Sequence, residues 1–123
     1  MVYYNHRNKG GINMEIIYRS FDGLEFSDEE TCRFHEENEP YFVMFDSEGV
    51  TKNVKKALVV DIRHDYGADF FVKICEQEGT TYNGIFENDI AGVFIWSDFS
   101  DEYIRISDEL LKAIEQYIKF KKE

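Results

Sequence analysis

Cys32 and His35 stand in the C-x-x-H spacing that supplies two ligands to a tetrahedral zinc ion. A second pair is required, and Cys75, His64 and His6 occur in no paired spacing. The two residues are therefore expected as packing groups, Cys32 under a helix and His35 at its edge. Serine, histidine and aspartate can be assembled in space by many folds, but no nucleophile elbow or other local signature marks that chemistry here. No two carboxylates stand out from the abundant acids as a split acid–base couple. No glycine loop is placed to cradle a phosphate, because Gly23, Gly49, Gly79 and Gly92 stand singly and Gly10-Gly11 lies in an amino-terminal leader. The expectation is a protein that is not an enzyme and that binds neither metal nor cofactor.

What the chain does carry is negative charge: 25 acids against 14 lysines and arginines, for a net charge of −11. Such a charge repels nucleic acid phosphates and anionic lipid, and attracts basic protein. Direct nucleic acid or membrane binding is disfavoured, and a basic protein surface is the natural partner. The acids are uneven. Residues 22–48 hold Asp22, Glu25, Asp28, Glu29, Glu30, Glu36, Glu37, Glu39, Asp46 and Glu48 against Arg33 alone, and residues 98–109 hold Asp98, Asp101, Glu102, Asp108 and Glu109 against Arg105. Carboxylates three or four residues apart on a helix stand about 5–6 Å from one another. A groove of Lys and Arg built to grip phosphates would attract such a face as a DNA mimic. The competing reading is a solvated coat that keeps the protein soluble; the uneven distribution favours an interface. The expected contacts are Asp28, Glu29, Glu36 and Glu37 on a first helix, and Asp98, Asp101 and Glu102 around a later turn. Phe99, at the tip of that turn, is the expected aromatic anchor within a charged rim, whereas Trp96 and Tyr103 are expected in the core.

The elements that must position these groups follow from pattern. Residues 15–19 alternate as a strand, Asp22-Gly23 is a turn, and residues 24–26 return as a short hairpin partner. Ser27 with Glu30 reads as a capping box opening a helix to about Asn38, which Pro40 closes from beyond. Residues 41–46 and the run Ala57-Leu58-Val59-Val60 read as strands. Asp69 is expected to cap a helix to Glu78, with Gly79 as its stop. Residues 80–89 read as irregular chain around Asn83-Gly84, and residues 92–96 and 103–106 as an antiparallel pair across the acidic turn. Ser107 caps a last helix with an apolar stripe of Leu110, Leu111, Ile114, Tyr117 and Ile118, and Lys119, Lys121 and Lys122 at the end that favours cations. The fold class is α+β: a small antiparallel or mixed sheet with two to three helices, in one compact domain.

With 123 residues there is room for one core. Residues 1–13 are polar and aperiodic and are expected as a disordered leader, with residues 14–123 as the domain. Lys9-Gly10-Gly11 can be encoded AAAGGAGG, a bacterial ribosome-binding sequence just ahead of Met14, so Met14 is a candidate native start. That start would drop Arg7 and Lys9 and no acid, giving −11 − 2 = −13. No apolar stretch is long enough for a transmembrane helix, and no export signal opens the chain. The two cysteines are then expected as reduced thiols in a bacterial cytoplasm.

The run from Met14, Met-Glu-Ile-Ile-Tyr-Arg-Ser-Phe-Asp-Gly-Leu-Glu-Phe-Ser-Asp-Glu-Glu-Thr-Cys, resembles a recurrent opening among small acidic accessory proteins of Gram-positive phages and mobile elements. The stretch Ile90-Ala91-Gly92-Val93-Phe94-Ile95-Trp96, followed by Tyr-Ile-Arg-Ile and a final helix, is similar to the same group. That group overlaps with anti-CRISPR proteins, acidic inhibitors of Cas nucleases that occupy DNA-binding or PAM-reading surfaces. The resemblance implies inhibition of a host defence nuclease by binding, with Cas9 and its guide RNA as the leading candidate. The alternative is a non-inhibitory accessory or adaptor that docks on a host or virion protein through aromatic contacts.

Overall fold

The computed structural model describes residues 2–7, 14–85 and 91–122. The described residues form an α+β domain of two antiparallel sheets and three α-helices rather than of one sheet. The first sheet has the order β1-β2-β3, from Val2–Arg7, Met14–Arg19 and Glu25–Phe26. Residues 2–7, expected within an unstructured leader, instead form strand β1, registered from Val2 on Arg19 to Arg7 on Met14. The Val-Tyr-Tyr run suits a strand, and Tyr3 lies against Tyr18 with ring centroids 6.1 Å apart.

The second sheet has five strands in the order β5-β4-β6-β7-β8, from Phe42–Asp46 (β4), Gly49–Val50 (β5), Val59–Ile62 (β6), Gly92–Ser97 (β7) and Glu102–Arg105 (β8). Its register aligns Phe45 with Val59 and Val59 with Ile95, which gathers the β4–β5 turn, the start of β6 and the β7–β8 turn at one end. Helix α2, Gly67–Glu78, covers one face. Phe42, Met44, Val60, Ile62 and Phe94 of the strands close there on Ala68, Phe71 and Cys75 of the helix, together with Ile85 and Tyr103. Phe71 packs edge-on against both Phe42 and Tyr103. The helix opens at Gly67, two residues ahead of Asp69, and its N-cap Tyr66 makes no side-chain cap. Asp69 lies in its first turn instead, where a carboxylate still favours the helix dipole. Gly79 ends the helix as expected, left-handed at φ +69°, with its amide on the carbonyls of Cys75 and Glu76.

Helix α1, Glu29–Asn38, touches β2, β3 and β4 and so joins the two sheets. Its cap is Asp28 rather than Ser27, because that carboxylate accepts from both the amide and the hydroxyl of Thr31. Helix α3, Asp108–Lys122, is capped as the sequence predicts, with the Leu110 amide on Ser107 Oγ at 3.1 Å. None of its residues is buried. An apolar helical stripe ordinarily faces the core, yet Leu110, Ile114, Tyr117 and Ile118 here remain exposed. Among the described residues no helix is long and apolar enough to cross a membrane.

Candidate protein-binding surface

The acids of α1 are largely engaged by the fold. Asp28 is the helix cap, and its hydrogen bond from the Thr31 hydroxyl holds its carboxyl below the ordinary range despite the opposing push of desolvation. Glu29 pairs with Arg33 at 2.7 Å, Glu30 with Lys52 at 2.6 Å, and Glu39 with Arg63 at 2.6 Å. Glu36 accepts from the Phe21 amide at 3.0 Å, fastening the hairpin turn to the helix. Glu37 alone of this set has no hydrogen-bond or ion-pair partner among the described residues.

Two of the expected contacts on α1 share an end of the molecule with the second acidic turn. Glu25, Asp28 and Thr31 line a cleft of about 320 Å³ with Asp46, Glu48 and Thr51. The β4–β5 turn leads on to Lys55, Lys56 and Leu58, and Lys55 and Leu58 line the next cleft with Trp96 and Asp98. Asp28 and Glu29 therefore lie on the same end as Asp98, Phe99, Asp101 and Glu102. Glu36 and Glu37 do not: eight and nine residues beyond Asp28, they sit about 12–14 Å further along the helix, towards the end where Glu39 meets Arg63. Three lysines, Lys52, Lys55 and Lys56, interrupt the acids at the shared end.

The β7–β8 turn is built differently. Phe99 stands at its tip with a relative exposure of 102%, so the body of the protein covers none of the ring. The turn is nonetheless braced. Trp96 packs edge-on against buried Tyr103 at 4.9 Å, and its indole N–H donates to Asp98 Oδ1 at 2.8 Å. The Ser100 amide donates to Ser97 Oγ at 3.2 Å. Asp101 takes a left-handed conformation, φ +55°, which aspartate tolerates better than most residues. Asn83 holds the turn from outside: its side-chain amide donates to the Asp101 carbonyl, and its own carbonyl accepts from the Tyr103 amide at 2.8 Å. Sequence reasoning marked Asn83-Gly84 as a turn and missed this bracing role, which needs the pairing of distant segments. Arg105, counted with this patch in the sequence, points elsewhere. It lies three residues along β8 from Glu102, roughly 10 Å in an extended strand, and donates to the Ala91 carbonyl across side-chain-free Gly92.

The half zinc site resolves into something else. Cys32 is buried as expected, but His35 is also buried at 4% exposure rather than at the helix edge. Its Nε2 lies 2.8 Å from Asp22 Oδ2, while Ser20 Oγ donates to Asp22 Oδ1. Desolvation pushes the Asp22 carboxyl up, but the hydrogen bonds of Ser20 and His35 outweigh it and hold it below its ordinary value. Facing an ionised carboxylate, Nε2 carries the proton and donates. The order is Ser–Asp–His, with the carboxylate in the middle, so the hydroxyl faces no imidazole base; the group clamps the Asp22-Gly23 turn onto α1. Burial raises both thiols, Cys75 to about 12, which keeps them protonated packing groups. Among the described residues no three of His, Cys, Asp and Glu gather in a way that could hold a metal ion.

One cluster had no sequence signal at all. At the opposite end of the sheet Tyr41 meets Phe70 at 4.7 Å, and His64 stacks on exposed Tyr66 at 5.0 Å. Tyr41, Tyr66 and Phe70 line a cleft of about 240 Å³ with Asp69 and Lys73. Compared with protein-family models, with curated proteins and with solved structures, the chain matches none.

Proposed function

We propose that this chain is a binding protein that acts by occupying a basic protein surface, with the β7–β8 turn as its contact point. The observation that carries the reading is Phe99, wholly exposed on a braced turn and flanked by Asp98, Asp101 and Glu102. A rigid aromatic anchor inside a charged rim is the arrangement of a binding hot spot, and bracing lowers the entropy lost on association. Asp28 and Glu29 lie at the same end but are held by Thr31 and Arg33, and Glu36 and Glu37 are too far along α1 to belong to the rim. The target proposed is a Lys- and Arg-lined surface that a host defence nuclease uses to hold nucleic acid, with Cas9 and its guide RNA as the specific candidate and a phage or mobile element in a bacterial cytoplasm as the setting. The chain's resemblance to acidic accessory proteins supports this target, and its net charge of −11 supports the sign of the partner.

A pull-down from lysate containing Cas9–guide complexes, at low and high salt, tests the reading. Capture that weakens steeply as salt rises, and that Phe99→Ala abolishes, supports it. No capture at low salt, or capture indifferent to Phe99→Ala, ends it. The adaptor alternative gains its own support from the cluster of Tyr41, His64, Tyr66 and Phe70. It predicts a different partner, weak salt dependence and sensitivity to Tyr66→Ala.

A further inference from the structure

We infer that α3 is a self-association element that pairs antiparallel with α3 of a second copy of this chain. At 3.6 residues per turn Leu110, Leu111, Ile114, Tyr117 and Ile118 fall within an arc of about 120° centred on Ile114. Leu110, Ile114, Tyr117 and Ile118 are 46%, 37%, 61% and 46% exposed, Leu111 is half-buried, and no described strand or helix makes more than slight contact with α3. A stripe of this width on a helix capped at its N-terminus is a face without its cover.

Charge selects the occupant. Residues 108–122 carry Asp108, Glu109 and Glu115 against Lys112, Lys119, Lys121 and Lys122, which is −3 + 4 = +1, in a chain whose net charge is −11. The helix is thus a region where two such acidic molecules can approach without strong repulsion. Its charge is also polarised, with acids in the first turn and lysines in the last. Asp108, Glu115 and Lys122 recur every seven residues along one flank of the stripe. In an antiparallel pair crossing near Ile114, each Asp108 meets the second copy's Lys122, and Leu110 meets its Ile118. A parallel pair in register would put these flanks on opposite sides of the seam and leave the Asp108–Lys122 pairs unmade. The two-fold antiparallel arrangement is therefore the self-complementary one. Glu115 approaches its own copy near the crossing of the antiparallel pair as a like-charge contact. A contact of four helical turns is small, which places the dimer at the weak, roughly micromolar end of specific association.

Sedimentation velocity on the full chain, from about 1 μM to about 1 mM, reads the association directly. A reversible monomer–dimer equilibrium is expected, weakened at least about thirtyfold by Ile114→Glu and tightened by Glu115→Gln. Orientation is read by oxidising a mixture of Leu110→Cys and Ile118→Cys; buried Cys32 and Cys75 do not compete. The disulfide-linked dimer is expected chiefly in the mixture. A chain that stays monomeric throughout, a dimer that Ile114→Glu leaves intact, or efficient cross-linking of Leu110→Cys alone overturns the proposal. Circular dichroism of each variant confirms that α3 remains helical, so a lost dimer is not a lost helix.

Discussion

Helix α1 and the β7–β8 turn are both acid-rich, yet their carboxylates have opposite fates. Along α1 the acids lie beside an open helix end, a neighbouring loop with Lys52 and a sheet end with Arg63, and each of those groups draws a carboxylate to itself. At the β7–β8 turn the chain projects past the sheet. There, among the described residues, Asp98 is the one acid whose carboxylate accepts a hydrogen bond, and nothing covers Phe99. A high local count of acids therefore does not by itself make an electrostatic surface. Charge is available to a partner only where the fold provides no cation or amide to take it.

That contrast can be broken by experiment, because changes in α1 should register in stability and changes in the turn in binding. The largest effect expected is from Phe99→Ala, which should cost about 2–4 kcal/mol of binding as a truncated hot spot. Its melting temperature should not move, since the ring is fully exposed; a destabilised variant would show that the ring packs somewhere. Next is Asp22→Ala, which strips the acceptor from buried His35 and should cost about 1–3 kcal/mol of folding stability by urea titration. The same carboxyl gives a pH test. Its folded value lies below the unfolded 3.8, so its contribution is present above that value and is lost as pH falls through the folded one. Asp22→Asn should accordingly be less stable than wild type near neutrality, and the gap should close below about pH 4. A gap that widens in acid would reverse the assignment. Smaller still, Asp28→Ala should lower the melting temperature by a few degrees through loss of the cap, with Ser27→Ala nearly silent. Glu37→Lys should change stability by no more than about 0.5 kcal/mol and leave binding unaltered. Lost binding in that variant would return the far half of α1 to the interface.

Much of the architecture could be read from the chain. The Asp22-Gly23 signal located the β2–β3 turn, cap and stop signals located α1 and α2, the apolar stripe located α3, and Phe99 was placed at the tip of its turn by the strands on either side. Errors gathered where two local signals competed. Ser27 and Asp28 both offer a cap, and the carboxylate prevails because it takes two donors. Asp69 resembles a cap but sits within the first turn. Strand β1 was missed because residues 1–13 are polar and aperiodic and read as a leader, which hid Gly10-Gly11 as a hairpin signal.

Local pattern, then, was enough to fix which segments are helical or extended, where they turn, and how much charge they carry, because those properties depend on residues within a few positions of one another. Pattern could not say what each face would meet. The stripe of α2 is buried and the equally regular stripe of α3 is bare; Glu30 is paired and Glu37 is not; Arg105 turns from the acids beside it to Ala91. Those outcomes depend on contacts between segments distant in sequence, and only tertiary packing decides them.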